Sequence, residues 1–157
     1  MSEFVELIQD DDVKRFTLVP TSAGEAFVRE WVAHYDAGWD DGSRAGFCIR
    51  GATDDTFLGF AAIVHVALDE QEGEIGYMVP PAARGRGTSA RAVELLTCWG
   101  FGELGLERLE LRIDVANTAS ERVAERAGYR RDGVLRNAYF KEGRRSDTGI
   151  WSRLRGD

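Results

Sequence analysis

No apolar run in this 157-residue sequence approaches the ~20 residues that a membrane-spanning helix needs. Cysteine and histidine are scarce, and Cys48, Cys98, His34 and His65 are too dispersed for a disulfide framework or a zinc-ligand spacing. We therefore expect two buried structural thiols and no metal site. The N-terminal residues are acidic where a signal peptide would be basic and then apolar, so we expect a cytoplasmic protein without membrane contact.

Charge is distributed unevenly along the chain, whose formal net charge is −7. Residues 1–70 contain 14 acidic against 5 basic residues, and residues 71–157 contain 13 against 15. The segment from Ile75 to Val93 has three arginines and no acidic residue. A cationic patch in an acidic protein favours an anionic ligand at that place. The overall negative charge argues against nucleic acid as a partner.

The chain is predicted to form a single domain over residues 1–157, because no repeat, low-complexity tract or Pro/Ser-rich linker divides it. Ser22, followed by Glu25 three residues later, is typical of a capping box at a helix start. Behind it, an apolar stripe with helical spacing ends near Gly38 and consists of Phe27, Val28, Trp31, Val32 and Tyr35. Further helices are predicted near the N-terminus, over 88–103 and over 117–127.

β-rich segments with turn signals between them predict strands over 45–50, 56–67, 74–79, 108–115, 129–139 and 148–154. The third ends at Pro80 and Pro81, since proline cannot continue a ladder. Helices, a three-strand meander, alternating strands and helices, and a final hairpin follow one another. This order favours a mixed α/β (α+β) domain with one central, mostly antiparallel sheet. The final hairpin is available for pairing with a second copy, so a homodimer is one expectation.

A glycine-rich segment, PPAARGRGTSA, lies between the third strand and the next helix. The first amides of a helix have no intrahelical partner and lie at the positive end of its dipole, so they bind phosphate well. Gly85 and Gly87 allow the backbone to approach an anion closely, and Thr88 and Ser89 add hydroxyl donors. The segment predicts a phosphate-binding loop. An ordinary left-handed turn before a helix is the alternative.

The letters GRGTSA also fit the dinucleotide-binding fingerprint G-x-G-x-x-G/A. That fingerprint needs its first glycine directly after the strand, whereas Pro80 to Arg84 intervene here. It also needs an acidic residue about 20 residues further on, and Asp114 lies too far along. The meander before the loop is equally foreign to a dinucleotide fold, so this interpretation is disfavoured.

Two stretches, EIGYMVPPAARGRGTSARAVELL and LELRIDVANTASERVAERAGYRRDGVLR, resemble the GNAT superfamily of acetyl-CoA-dependent N-acetyltransferases. The similarity extends over nearly the whole chain and is strongest to the RimJ/RimL-type branch, which acetylates ribosomal-protein N-termini. It implies a GNAT-type domain with about four helices and with acetyl-CoA in a V between two splayed parallel strands. The family usually begins with a strand reading L-x-L-R. This chain starts within the following helix, so we expect a sheet without that first strand.

The resemblance also implies the cofactor-binding residues. The family signature R/Q-x-x-G-x-G/A matches Arg84 to Ser89, with serine at a place where a small apolar residue is usual. Backbone amides from Arg86 to Ser89 are implied to hold the pyrophosphate of coenzyme A, and Asn117 to bond the pantetheine arm. The implied set is Met78, Val79, Arg84, Gly85, Arg86, Gly87, Thr88, Ser89, Asn117 and Ser120.

Glu74 resembles the glutamate that several GNAT enzymes use as a base, often through water. A partly desolvated carboxylate can help to remove the proton of an acceptor ammonium. The alternative is that Glu74 only binds the ammonium electrostatically. Glu70 and Glu72 are nearby candidates for the same role.

The resemblance implies two further catalytic groups. The backbone amide of Met78 corresponds to the donor that polarises the thioester carbonyl. Many GNAT enzymes have a tyrosine seven residues beyond the asparagine, as acid for the leaving thiolate, but this chain has Ala124 there. Ser120, three residues beyond Asn117, is the best substitute, while Tyr129 is expected in the core.

The resemblance implies a primary amine as the acceptor, either a small molecule or a protein N-terminus. In the family the first two helices wall the acceptor site, and here that region is strongly acidic, which favours a cationic amine. Phe16 and Trp39, with Glu74, are candidates for binding it, whereas Trp31 falls on the helix stripe and is expected in the core.

A degenerate acyl-CoA-binding module, which senses the cofactor without transferring the acyl group, is the alternative function. Ala124 favours it. The presence of Glu74, Asn117 and Ser120 argues for an enzyme.

Overall fold

The computed structural model describes all 157 residues. Its helices are α1 (Ser2–Leu7), α2 (Asp11–Phe16), α3 (Glu25–Asp41), α4 (Thr88–Gly102) and α5 (Thr118–Arg126). Its strands are β1 (Ala45–Arg50), β2 (Phe57–Ala67), β3 (Glu72–Met78), β4 (Arg108–Asp114), β5 (Arg130–Lys141) and β6 (Arg144–Leu154). None of the helices combines the length and the apolar character that crossing a bilayer requires.

The six strands form one sheet in the order β1-β2-β3-β4-β6-β5. All neighbours are antiparallel except β3 and β4, which are parallel and are connected through α4. A parallel pair needs such a crossover, whereas short turns connect β1 to β2, β2 to β3 and β5 to β6. The predicted mixed α/β domain with a mostly antiparallel sheet is therefore confirmed.

Each face of the sheet covers its own apolar core. α4 and α5 pack on one face, where Ile75 is buried and Tyr77 packs at the margin. α1, α2 and α3 pack on the other, where Met78 is buried beside Val28. Because successive strand residues point to opposite faces, Glu74 lies on the α3 side of the sheet.

The N-terminal half differs from the prediction at one helix start. α1 ends at Leu7, and the acidic run Asp10–Asp12 begins α2, where the Asp10 side chain caps the helix by accepting from the Val13 amide at 3.0 Å. The predicted capping box of Ser22 and Glu25 is wrong. Ser22 lies within a turn that is closed by a bond from the Ala23 amide to the Pro20 carbonyl at 3.0 Å. Gly24 is the N-cap of α3, which begins without a side-chain cap.

The apolar stripe of α3 is confirmed, but its predicted end is wrong. The helix continues past Gly38 and ends at Gly42, whose φ of +76° is the left-handed conformation typical of a helix C-terminus. Gly38 is buried because the Arg44 side chain crosses the helix there and leaves no room for a Cβ atom. A glycine needed for close packing therefore resembled a helix stop.

The expectation of buried thiols is also wrong, since both cysteines are exposed. Cys48 lies on β1, an edge strand, and Cys98 lies one position off the buried stripe of α4.

The β5–β6 hairpin reaches the segment after α2. The Lys141 ammonium donates to the carbonyls of Lys14, Thr17 and Val19, and the Tyr139 hydroxyl donates to the Thr17 carbonyl at 2.7 Å. These bonds hold the hairpin tip on its own chain. β5 pairs only with β6, and the homodimer stays a prediction.

Candidate active site

A cleft opens where the two parallel strands at the centre of the sheet separate. β3 and β4 pair only over Glu72–Glu74 and Arg108–Glu110. Beyond these residues β3 pairs with β2 as far as Met78, and β4 pairs with β6 as far as Asp114. The facing edges therefore have no strand partner, and the V predicted between them is present. The role of the Met78 amide as a donor to a thioester stays a prediction.

The glycine-rich loop follows the C-terminal end of β3 and leads into α4, whose N-cap is Gly87. Gly85 has a φ of +72° and Gly87 a φ of +81°, a conformation that residues with side chains adopt only with strain. A Cβ atom at either position would meet no other heavy atom within 4 Å. These glycines are therefore required for the conformation of the backbone and for the approach of a ligand to it, and not for packing inside the protein.

The amides of this loop are free. Residues 85–90 donate no backbone hydrogen bond within the chain, since the first bond of α4 runs from the Arg91 amide to the Gly87 carbonyl at 2.9 Å. No side chain caps the helix. Several converging donors at the positive end of a helix dipole fit an anion with several oxygens, such as a diphosphate. An ordinary turn closed on itself would use these amides internally, so the alternative is disfavoured.

Arg84 directs its side chain away from this set of donors. Its guanidinium is ion-paired with Asp10 and, at 3.0 Å, with Asp12 at the start of α2. The pair ties the glycine-rich loop to the N-terminal helices. Arg91 is paired with Glu94 at 2.7 Å, so Arg86 is the arginine of the loop that remains exposed and without an ion pair.

The variant Arg84→Ala is expected to lower the free energy of unfolding by about 1–2 kcal/mol, because it removes charged hydrogen bonds at a half-buried position. Partial burial acts to raise the pKa of Asp10, but the bonds from Arg84 and from the Val13 amide hold that pKa below its usual value. The contribution is therefore present above the pKa of Asp10 in the unfolded chain, and it is lost as the pH falls through the folded value.

Urea unfolding at several pH values measures this effect. Asp10→Asn should behave like Arg84→Ala, since asparagine still caps α2 but has no charge. Arg86→Ala is the matched control and should leave stability unchanged. Equal losses in both arginine variants would contradict the assignment.

Three side chains meet between β3 and α5. The side-chain Oδ1 of Asn117 accepts from the Ser120 amide at 3.1 Å, which caps α5 and leaves the side-chain NH2 group of Asn117 free to donate. From β3, the Tyr77 hydroxyl donates to the Ser120 hydroxyl oxygen at 3.0 Å. Burial raises the pKa of Tyr77 to about 12, although the bond to Ser120 acts to lower it. Sequence reasoning missed Tyr77, whose only signal was a polar group on a strand between buried residues.

Neither Ala124, where the family tyrosine would stand, nor Tyr129 reaches the cleft. Ala124 is fully buried in the core under α5. Tyr129 is buried as predicted, and its hydroxyl is bonded to that of Thr97 at 2.7 Å.

Glu74 is half-buried beside the point where the strands separate. Burial raises the pKa of Glu74, and the nearby Glu110 carboxylate raises it further, while Arg112 and His65 act to lower it. The distance from Arg112 Nε to the Glu74 carboxylate is 3.6 Å.

The neighbouring carboxylate behaves in the opposite way. Burial acts to raise the pKa of Glu110, but bonds from Arg112 at 2.8 Å and Arg108 at 2.7 Å hold it below its usual value. Two adjacent carboxyl groups with pKa values shifted in opposite directions are typical of acid–base sites. Glu72 is exposed and lies 3.7 Å from Arg108, which leaves Glu74 as the better candidate base.

The two predicted acceptor aromatics lie apart. Trp39 stacks on Trp99 with ring centres 6.1 Å apart, at the β1 edge of the sheet and two strands from Glu74. The Phe16 ring is covered by the Arg15 guanidinium, 4.7 Å from its centre.

Sequence reasoning missed a cavity of about 330 Å³ on the α3 side of the sheet. Trp31, Tyr35 and Phe60 line it together with the Asp36 carboxylate. Burial raises the pKa of Tyr35 to about 12; Arg44 acts to lower it, and the charge of Glu74 adds to the rise. Phe60 pairs with Met78, which places this cavity on the face of the sheet that carries Glu74. Aromatic faces beside a carboxylate suit an organic cation.

Residues 1–130 match the family of the Acetyltransferase (GNAT) domain. The match covers most of the chain, so this chain belongs to the GNAT acetyltransferase family, whose members use acetyl-CoA. The resemblance noted from the two motifs is confirmed.

Proteins that are similar in sequence to this chain are named as N-acetyltransferases. The chain is 30% identical over 95 residues to the uncharacterized N-acetyltransferase YoaA of Bacillus subtilis, covering 60% of this chain and 52% of YoaA. It is 28% identical over 119 residues to spermidine N(1)-acetyltransferase of Escherichia coli, covering 76% of this chain and 62% of that enzyme. YdaF of Bacillus subtilis, provisionally named a ribosomal N-acetyltransferase, is 28% identical over 140 residues, or 87% of this chain and 73% of YdaF. The chain thus spans about half to three-fifths of YoaA and the spermidine enzyme.

Solved structures share the fold. Spermidine N-acetyltransferase of Vibrio cholerae, in complex with CoA and spermine, superposes with a TM-score of 0.85 at 17% identity, covering 99% of this chain and 89% of that one. The microcin C7 self-immunity acetyltransferase MccE, in complex with acetyl-CoA and AMP, superposes with a TM-score of 0.87 at 20% identity, covering 98% of this chain and 86% of that one.

Proposed function

We propose that this chain is an acetyl-CoA-dependent N-acetyltransferase that acts on a primary amine by direct attack in a ternary complex. One observation supports this most strongly: the free amides of residues 85–90 lie at the start of α4, in the loop that follows the strand bordering the cleft. A diphosphate held there leads its attached arm into the opening between β3 and β4. A set of free amides at a helix N-terminus suits the several oxygens of the coenzyme A pyrophosphate.

The roles of the binding residues follow from their free groups. The amides from Arg86 to Ser89 hold the pyrophosphate, and the exposed Arg86 side chain adds positive charge. The free NH2 group of Asn117 and the unpaired edges of β3 and β4 bind the pantetheine arm. When bound, acetyl-CoA supplies an acyl group activated as a thioester.

Glu74 removes a proton from the acceptor ammonium, directly or through water. Its raised pKa makes the carboxylate a stronger base than an ordinary glutamate. Glu110 stays charged between its two arginines and maintains this environment.

The acceptor is a primary amine with additional positive charge. The acidic N-terminal half attracts such a molecule, and Asp36 with the aromatic side chains beside it provides a place for a cationic group. Spermidine is named as the substrate of one relative, and spermine is bound in one structural neighbour. A protein N-terminus remains the second acceptor class, in line with the name of YdaF.

Release of free thiol from acetyl-CoA, measured with a panel of amines, tests the proposal. Spermidine is expected to give turnover whose kcat/KM falls several-fold as ionic strength rises from about 0.02 to 0.2 M, because salt screens the attraction. A primary monoamine of similar length, which carries a single positive charge, should show lower efficiency and a weaker salt dependence. Asp36→Asn should weaken the preference for spermidine, whereas Asp40→Asn, an exposed acid on the same helix, should not.

An acyl-CoA sensor would give a different result. It would bind acetyl-CoA, yet no amine in the panel would increase thiol release over hydrolysis.

A further inference from the structure

The hydrogen bond between Tyr77 and Ser120 determines where the Ser120 proton can point. The Tyr77 hydroxyl is the donor, so one lone pair of the Ser120 oxygen is occupied by an incoming proton. Ser120 donates its own hydroxyl proton to no group of the chain, and its amide is used separately by Asn117. A hydroxyl has a single proton to give. The Ser120 proton is therefore available to a molecule in the cleft.

The contact between Tyr77 on β3 and Ser120 on α5 lies close to Ala124, the position at which many GNAT enzymes have a tyrosine. Ser120 and Ala124 are four residues apart and lie on the same face of α5. Ala124 is fully buried and offers no donor. Tyr77, on β3, places its phenol hydroxyl next to Ser120, which lies one helical turn before Ala124.

We infer that Tyr77 is a positioning residue, which holds the Ser120 hydroxyl so that it donates a hydrogen bond to the sulfur of the leaving group. The inference rests on the proposed function. In the transfer step the free amine nitrogen forms a bond to the acetyl carbon and loses one proton to water, the carbon–sulfur bond breaks, and its electron pair goes to sulfur. Ser120 stabilises the resulting thiolate by its hydrogen bond, and the thiolate then takes a proton from water.

Tyr77 itself does not transfer a proton in this scheme. Its only proton is committed to Ser120, and a tyrosine with a pKa of about 12 remains protonated in the working range of pH. A fixed donor of this kind keeps the serine in one rotamer at low entropic cost, which is what a positioning residue provides.

The test compares Tyr77→Phe, Ser120→Ala and the double variant. Tyr129→Phe is the matched control, because it also removes a buried tyrosine hydroxyl bonded to a side-chain hydroxyl, but in the core. Tyr77→Phe is expected to lower kcat about tenfold with the KM for acetyl-CoA unchanged. Ser120→Ala should lower kcat at least as much, and the double variant should match Ser120→Ala alone because the two groups act as one unit. Ser120→Thr, which keeps a hydroxyl, should restore most of the rate.

A binding measurement reports on the same contact without turnover. Calorimetry with coenzyme A and with desulfo-coenzyme A gives the affinity that the sulfur adds. This ratio should fall in Tyr77→Phe and in Ser120→Ala, and stay at the wild-type value in Tyr129→Phe.

The inference is overturned if Tyr77→Phe is indistinguishable from Tyr129→Phe, or if the effects of the two single variants multiply in the double variant. Failure of the proposed function looks different: the wild-type chain would show no amine-dependent turnover at all, whatever the affinity ratios.

Discussion

Replacing Gly87 by valine is expected to weaken the binding of coenzyme A by about 100-fold or more. At a φ of +81° a β-branched residue is strained by roughly 1–3 kcal/mol, so the loop leaves this conformation and its amides no longer converge. A side chain there would also project into open space on the side from which the anion must approach. Isothermal titration with coenzyme A measures the loss.

Gly105→Val is the matched control for backbone strain. Gly105 has a φ of +67°, a Cβ atom there would also meet nothing within 4 Å, and it lies in the turn after the other end of α4. It should cost similar stability and leave the affinity for coenzyme A unchanged. Normal binding by Gly87→Val, or an equal loss in Gly105→Val, would refute the phosphate-binding role of the loop.

Glu74→Gln is expected to lower kcat/KM for the amine about 100-fold at neutral pH, within the range that general base catalysis contributes. Glutamine keeps the size of the side chain but cannot accept a proton. The affinity for coenzyme A should not change, because Glu74 lies on the opposite face of β3 from Tyr77.

The pH profile gives the sharper test of Glu74. Its pKa is raised, so wild-type activity should rise as the pH passes through that raised value and the carboxylate forms. The ratio of wild-type to variant rates should be largest between this pH and the pKa of the acceptor ammonium, about 10. Above it the ratio should shrink, since the free amine needs no base.

Glu72→Gln, two positions earlier on the same face of β3, is the control for Glu74→Gln. Glu72 is exposed, and its loss should leave the profile intact. A larger loss in Glu72→Gln, or a constant ratio across the pH range, would remove Glu74 from the role of base.

Local patterns were sufficient for most of the secondary structure. The apolar stripe of α3, the proline stop after β3, and the asparagine and glycine at the two ends of α5 each depend on residues a few positions apart. The errors arose where a local signal had a nonlocal cause. Gly38 resembled a helix stop but accommodates the Arg44 side chain, and Ser22 with Glu25 resembled a capping box although Gly24 is the N-cap of α3.

The sequence by itself determined the family, the glycine-rich loop and the strand that carries Glu74, because these depend on short motifs and on periodicity. Only the tertiary structure decided which partners the candidate groups have. Arg84 bonds to Asp10 across 74 positions, and Tyr77 bonds to Ser120 across 43. The resemblance implied a separation of β3 from β4, but only the sheet pairing showed that it begins after Glu74 and Glu110. Hydrogen bonding and burial depend on distance in space, and residue spacing along the chain does not encode that distance for groups on different elements.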